Sequence, residues 1–181
     1  MNILIVVDMQ KDFVDGALGT PEAEAVVPAV TDKIREYARR GDVIIATRDT
    51  HTETYLDTQE GRNLPVIHCV RGTPGWELND QVAAALPREA VIVDKPTFGS
   101  LELAEIVGGY VEKYGQENVN TELIGLCTDI CVVSNALLLK ARFYEMPMSV
   151  DARCCAGVTP EKHLAALETM ASCQIRVTGR E

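Results

Sequence analysis

The sequence predicts an α/β protein built on a mainly parallel, six-stranded sheet. Two observations carry that reading. Short apolar, β-branched runs alternate along the chain with longer amphipathic runs, as in proteins where strands alternate with covering helices. The 181 residues also contain no internal repeat, low-complexity segment or linker. A chain of that length buries most of its apolar surface in one unit, so residues 1–181 read as a single domain.

Residues 3–7 form the first strand. The run is too short for the apolar region of a signal peptide, lacks a basic flank and ends in Asp8. Residues 23–39 read as a helix, with Val26, Val30, Ile34 and Tyr37 at three- to four-residue spacing and Gly41 as its stop. The second strand, 43–47, leads to Asp49. Residues 50–75 then show no clear periodicity, yet hold two of the chain's three histidines; stretches of this kind are usually either functional or disordered. A short helix at 78–86, a strand at 90–93 and a helix at 101–114 follow. The fourth strand, 123–125, runs into a helix expected to begin just beyond Thr128. A strand at 148–150, a helix at 160–170 capped by Thr159 with Pro160 at its first position, and a strand at 174–177 complete the pattern.

Composition narrows the function. A net charge of -10 argues against a nucleic-acid backbone as partner, because that affinity comes from clustered Lys and Arg. No apolar run approaches a membrane span, so no membrane partner is expected. Six cysteines without framework-like spacing, two of them vicinal at Cys154 and Cys155, read as reduced thiols in a reducing, cytoplasmic setting. The helix after Cys131 is nearly apolar all round. It is therefore buried within the domain or against a second subunit, and a homo-oligomer is the expected assembly.

In open parallel sheets, ligands bind beyond the carboxyl ends of the strands. Asp8 ends the first strand, Lys95 follows the third and Cys131 follows the fourth. With Thr128 as N-cap, Cys131 falls in the first helical turn, where free N–H groups favour a thiolate and lower the thiol pKa. Each residue alone has a plainer explanation: a turn cap, a solvated lysine, a core cysteine. Together they offer a proton shuttle, a cation and a nucleophile. Asp49 and His51 lie at alternate positions of an extended segment and can share one metal, with Asp57, Glu60 and His68 as further candidate ligands.

The segments DMQKDF, DKPTFGS and GLCTDICV, in that order and spread over nearly the whole chain, resemble those of the isochorismatase-like cysteine hydrolases, in particular the nicotinamidase branch. The resemblance implies a Rossmann-like sheet with helices on both faces and an Asp8-Lys95-Cys131 triad. It also implies an oxyanion hole from the backbone N–H groups of Cys127 and Cys131, with a cis peptide at Leu126-Cys127. In the metal site it implies Asp49, His51 and His68 as ligands. Glu60 fits the spacing of members that use a glutamate there, whereas Asp57 stands where a histidine is more usual. Zinc is the expected divalent ion, although manganese or iron suits the same donors. Phe13 matches an aromatic residue that lines the substrate ring. The family's tryptophan three residues before the last metal histidine is Pro65 here, which leaves Phe98 or Trp76 to complete the wall.

The activity so implied is hydrolysis of a small carboxamide, nicotinamide to nicotinate and ammonia, through a Cys131 thioester. One alternative keeps the fold and cleaves a carbamoyl or ureido compound. Another, from a different class, is a non-catalytic thiol or metal sensor.

Overall fold

The structure, a computed structural model, describes residues 1–180. Its strands are β1 (Asn2–Val7), β2 (Val43–Asp49), β3 (Val91–Lys95), β4 (Asn120–Leu126), β5 (Met148–Ala156) and β6 (Arg176–Thr178). They form one sheet in the order β3-β2-β1-β4-β5-β6, and every neighbouring pair is parallel. The expected mainly parallel sheet is thus wholly parallel. Its order reverses between β1 and β4, which opens a crevice at their carboxyl ends.

Side chains alternate across the sheet as strand geometry demands. From β1, Ile3, Ile5 and Val7 pack on one face with Leu103 and Val107, Ala136 and Leu139, and Leu167 and Met170. These belong to α5 (Leu101–Tyr114), α6 (Val133–Arg142) and α7 (Pro160–Ser172). Leu4 and Val6 face the other way, onto Val27, Val30 and Ile34 of α2 (Pro21–Arg40) and Val82 of α4 (Asp80–Ala85). Helices on both sides explain why the strands read as continuous apolar runs. The remaining helices are short: α1 (Lys11–Val14) and α3 (Gln59–Asn63).

Most element boundaries extend beyond the sequence reading. In α2 the Thr20 hydroxyl accepts from Ala23 N at 3.1 Å, Pro21 takes the first helical position, and Gly41 ends the helix at a left-handed φ of 71°. Its core stripe runs through Val27, while Val26 is only half-buried. Residues 50–75 are not featureless. They hold single 3-10 turns at Tyr55–Asp57 and Pro74–Trp76 around α3.

The largest correction falls around Cys131. Thr128 does not cap a helix; Thr128–Val132 is a five-residue π-type turn without a side-chain cap, and α6 starts only at Val133. Within the single chain α6 is not buried on every side, which leaves of the two expected settings only burial against a second subunit for its outer face. Asn135, Ala136 and Leu139 are buried, Leu137 and Leu138 are half-exposed, and Ala141 and Arg142 are exposed. The Leu126-Cys127 peptide bond is cis, as the resemblance implied.

Candidate active site

Asp8 lies just beyond β1, beside the crevice. It is fully buried, and its φ of 46° is uncommon for a residue with a side chain. Thr47 of β2 holds it twice: Asp8 N donates to Thr47 Oγ1 at 3.2 Å, and Thr47 Oγ1 donates to Asp8 Oδ1 at 2.7 Å. Lys95 is the last residue of β3, in register with Asp49 of β2, and its long side chain spans β2 to reach β1. Its Nζ stands 2.6 Å from Asp8 Oδ2, donates to Cys131 Sγ at 3.4 Å and to Thr97 O at 3.2 Å, and lies 3.6 Å from Asp49 Oδ1. Three residues distant in sequence therefore meet around one ammonium group.

Burial sets the electrostatics here. It pushes the Cys131 thiol well above its ordinary range; the Asp8 charge adds to that, and Lys95 opposes it. Burial thus works against the thiolate that a helix start was expected to favour. Burial also raises the Asp8 carboxyl despite Lys95. Desolvation works against the charged form of Lys95, yet the neighbouring Asp8 and Asp49 carboxylates oppose it and the net shift is upward. A raised carboxyl is the better base for a thiol, because proton transfer is easier between groups of similar affinity.

A second cluster adjoins the first. Asp49 Oδ2 lies 2.8 Å from His51 Nε2 and 3.7 Å from His68 Nε2, while Glu60 Oε1 lies 3.6 Å and 3.8 Å from the same two nitrogens. One donor atom from each residue falls within 4.8 Å of the others. The extended path beyond β2 puts Asp49 and His51 on one side, since His51 N donates to Cys69 O at 2.9 Å in an isolated parallel bridge. His68 Nδ1 contacts Val66 O at 2.8 Å, which makes Nδ1 the protonated nitrogen and leaves the Nε2 lone pair facing the cluster. His51 Nε2 is buried without a well-directed hydrogen bond despite its nearness to Asp49. Two imidazoles and two carboxylates converging around such an atom fit a divalent cation. Asp57, the competing candidate, is exposed in its 3-10 turn and stands outside the cluster.

Both clusters open on one cavity of about 730 Å³, whose walls include Phe13, Phe98, Ile130, Cys127 and Cys131. The Phe13 ring lies 5.5 Å from that of His68. Phe98 lines the cavity and Trp76 does not. Trp76 Nε1 donates to Thr50 Oγ1 at 2.8 Å, and its ring lies 3.7 Å from the Arg48 guanidinium.

Sequence reasoning missed several supports. Gln10 clamps Asp49, accepting from Asp49 N at 2.7 Å and donating to Asp49 O at 2.8 Å. Tyr55 is buried with its ring 4.6 Å and 4.9 Å from His51 and His68. Asn135 donates to Cys131 O at 2.8 Å and to Phe98 O at 3.1 Å and accepts from Ser100 N at 2.9 Å, tying the Cys131 turn to the loop after Lys95. A lone amide amid the apolar residues after Cys131 was a legible signal. A glutamine two residues beyond a strand-ending aspartate was another.

A doubly wound parallel sheet with a thiol, a carboxylate and an ammonium group at its switch point is an arrangement suited to a hydrolase. The isochorismatase domain model matches residues 2–181, and the chain belongs to the isochorismatase family. It is similar to the pyrazinamidase of Pyrococcus horikoshii, solved in complex with zinc, at 33% identity, 99% coverage of both chains and a TM-score of 0.80. The nicotinamidase/pyrazinamidase of Mycobacterium tuberculosis is 28% identical over 188 residues, 98% of each chain. The nicotinamidase of Saccharomyces cerevisiae is 26% identical over 190 residues, covering 83% of this chain and 87% of that protein.

Proposed function

We propose that this hydrolase cleaves a small aromatic carboxamide, nicotinamide or a close analogue, to the acid and ammonia. The observation that carries the reading is the single ammonium group of Lys95, 2.6 Å from Asp8 Oδ2 and 3.4 Å from Cys131 Sγ. The similarity to nicotinamidases and pyrazinamidases supports the substrate class.

Asp8 takes the proton of the neutral Cys131 thiol as sulfur attacks the carbonyl carbon. Lys95 balances the charge that moves from carboxylate to sulfur, a role that a buried cation fills far better than an exposed one. The backbone N–H groups of Cys127 and Cys131 receive the carbonyl oxygen as it becomes an anion; one such donor is worth roughly 3 kcal/mol of barrier. Asp8 then returns the proton to the nitrogen, the C–N bond breaks, and ammonia leaves a Cys131 thioester. Water, deprotonated by Asp8, hydrolyses the thioester and frees the acid and the thiol. Asp49, His51, Glu60 and His68 would hold a divalent ion, zinc in our reading, that supplies a binding point for a ring nitrogen and acidifies water.

The test is ammonia release from nicotinamide, pyrazinamide and several carbamoyl compounds by the metal-loaded protein and by Cys131→Ala. Turnover of the aromatic amides by the parent, and none by a Cys131→Ala variant with unchanged circular dichroism, is expected. Turnover confined to carbamoyl compounds would replace the substrate. Activity surviving in Cys131→Ala would remove the thioester.

A further inference from the structure

The third histidine takes no part in the metal cluster, yet it touches the turn that carries the nucleophile. His163 lies in the first turn of α7, where its backbone N donates to Thr159 O at 2.9 Å. Its Nδ1 shares a hydrogen bond of 2.8 Å with Thr128 Oγ1. Thr128 is fully buried between Cys127 and Cys131, and this is its side chain's only hydrogen bond among the described residues.

The flanking contacts show how closely α7 is docked. Asp129 Oδ1, from the same turn, accepts from Val158 N at 2.9 Å. Gly157 stands in the gap, where a Cβ would lie 2.8 Å from His163 N and 2.9 Å from Asp129 Oδ1. Only a residue without a side chain permits that approach. The turn itself is short, π-type and without a side-chain cap, so ties from neighbouring elements add to its few backbone hydrogen bonds in setting its orientation.

We propose that His163 is a positioning residue: through Thr128 it fixes the backbone between Cys127 and Cys131, and with it the Cys131 sulfur and the two N–H groups assigned to the carbonyl oxygen. The inference rests on the amide-hydrolase reading above. Its physical basis is the steep dependence of acyl transfer on geometry. A misplacement of about 1 Å costs up to roughly a hundredfold in rate, whereas loss of a hydrogen bond alone would show only in stability.

The experiment uses the full-length, metal-loaded protein and compares His163→Ala, His163→Asn, Thr128→Val, Thr128→Ser and the His163→Ala/Thr128→Val double variant. The asparagine amide reaches the place of Nδ1, and serine keeps the hydroxyl. His163→Ala and Thr128→Val are each expected to lower kcat for ammonia release by on the order of tenfold to a hundredfold, with KM within about twofold. The asparagine and serine variants should recover most of that loss. The double variant should be no slower than the worse single one, because both changes break one link. Unchanged kcat in both single variants overturns the proposal. So does a loss that follows melting temperature and is not recovered by His163→Asn and Thr128→Ser, or losses that multiply in the double variant. If His163→Ala does not fold, Thr128→Val, which keeps the side-chain shape, carries the same comparison. A parent that releases no ammonia from any amide sinks the substrate reading instead. The variants are then ranked by the rate at which iodoacetamide alkylates Cys131, read by peptide mass; the same order supports the proposal and equal rates overturn it.

Discussion

At Cys131 the local chain and its surroundings pull in opposite directions. A cysteine near a helix start is a good candidate for a thiolate, but full burial beside the Asp8 carboxylate makes the charged sulfur more costly than the peptide dipoles can offset. In the proposed mechanism a neighbour moves that proton at the moment of attack, and Lys95 favours the charged form of Asp8 against the burial that raises it. Lys95→Gln is therefore expected to leave Asp8 protonated, and kcat for ammonia release should fall by roughly a hundredfold to ten-thousandfold. An intact rate in that variant would show that the base is some other group. A different buried carboxylate governs stability. Asp151 lies 2.9 Å from Lys33 Nζ, which also meets Glu122 at 3.2 Å. Burial alone would raise its pKa, but hydrogen bonds from Arg153 and Lys33 hold it below the usual carboxylate range. The folded state thus binds this proton less tightly than the unfolded chain. The stabilisation is present above the unfolded pKa of about 4 and is lost as pH falls through the folded value. Urea unfolding of Asp151→Asn should show a deficit of about 1–3 kcal/mol at neutral pH that closes under acid conditions.

At the scale of elements, the end of β4 is the most constrained part of the fold. Gly125 has a φ of 116° and pairs with Val7, and a Cβ there would land on the Val7 carbonyl oxygen. The register of β4 against β5 shifts between Leu123 and Gly125 just before the chain reaches Cys127. Bulges of this kind re-aim a strand next to a site. Gly125→Ala is expected to lose at least about 2 kcal/mol of stability by urea unfolding, from the clash and the backbone strain together. A variant as stable as the parent would mean that the strand end can relax. The neighbouring turn shows why boundaries were hard to read. The apolar period continues unbroken from Ile130 into α6, so the sequence carries no mark where the π-type turn gives way to the helix. Asn135, Thr128 and His163 impose that geometry through contacts with elements that local sequence does not reveal.

Across the whole molecule, the four candidate metal ligands join parts that are otherwise loosely tied. Asp49 ends a core strand, whereas Glu60 sits in a five-residue helix and His68 in an irregular stretch. An ion bound by all four residues favours only the folded state. At a hundred times its dissociation constant it adds about 2.7 kcal/mol, equivalent to roughly 5–10 °C in a chain of this size. Chelation should lower the melting temperature by that order, and added zinc should restore it. A midpoint indifferent to chelator would argue against a resident ion at these residues.

Read alone, the chain determined the class of fold, the six strands and the residues that gather at their carboxyl ends, because both depend on local signals. Apolar period distinguishes strand from helix, and Asp8 and Lys95 stand at or next to the ends of strands. Tertiary structure decided that Glu60 rather than Asp57 joins the candidate metal cluster, that Phe98 rather than Trp76 walls the cavity, and that burial raises the Cys131 thiol. Each of these turns on how residues remote in sequence pack together: a short helix that brings Glu60 to the end of β2, a ring drawn to Arg48, and a sulfur buried beside a carboxylate. Burial and distance arise only when separate elements meet, so no stretch of sequence carries them by itself.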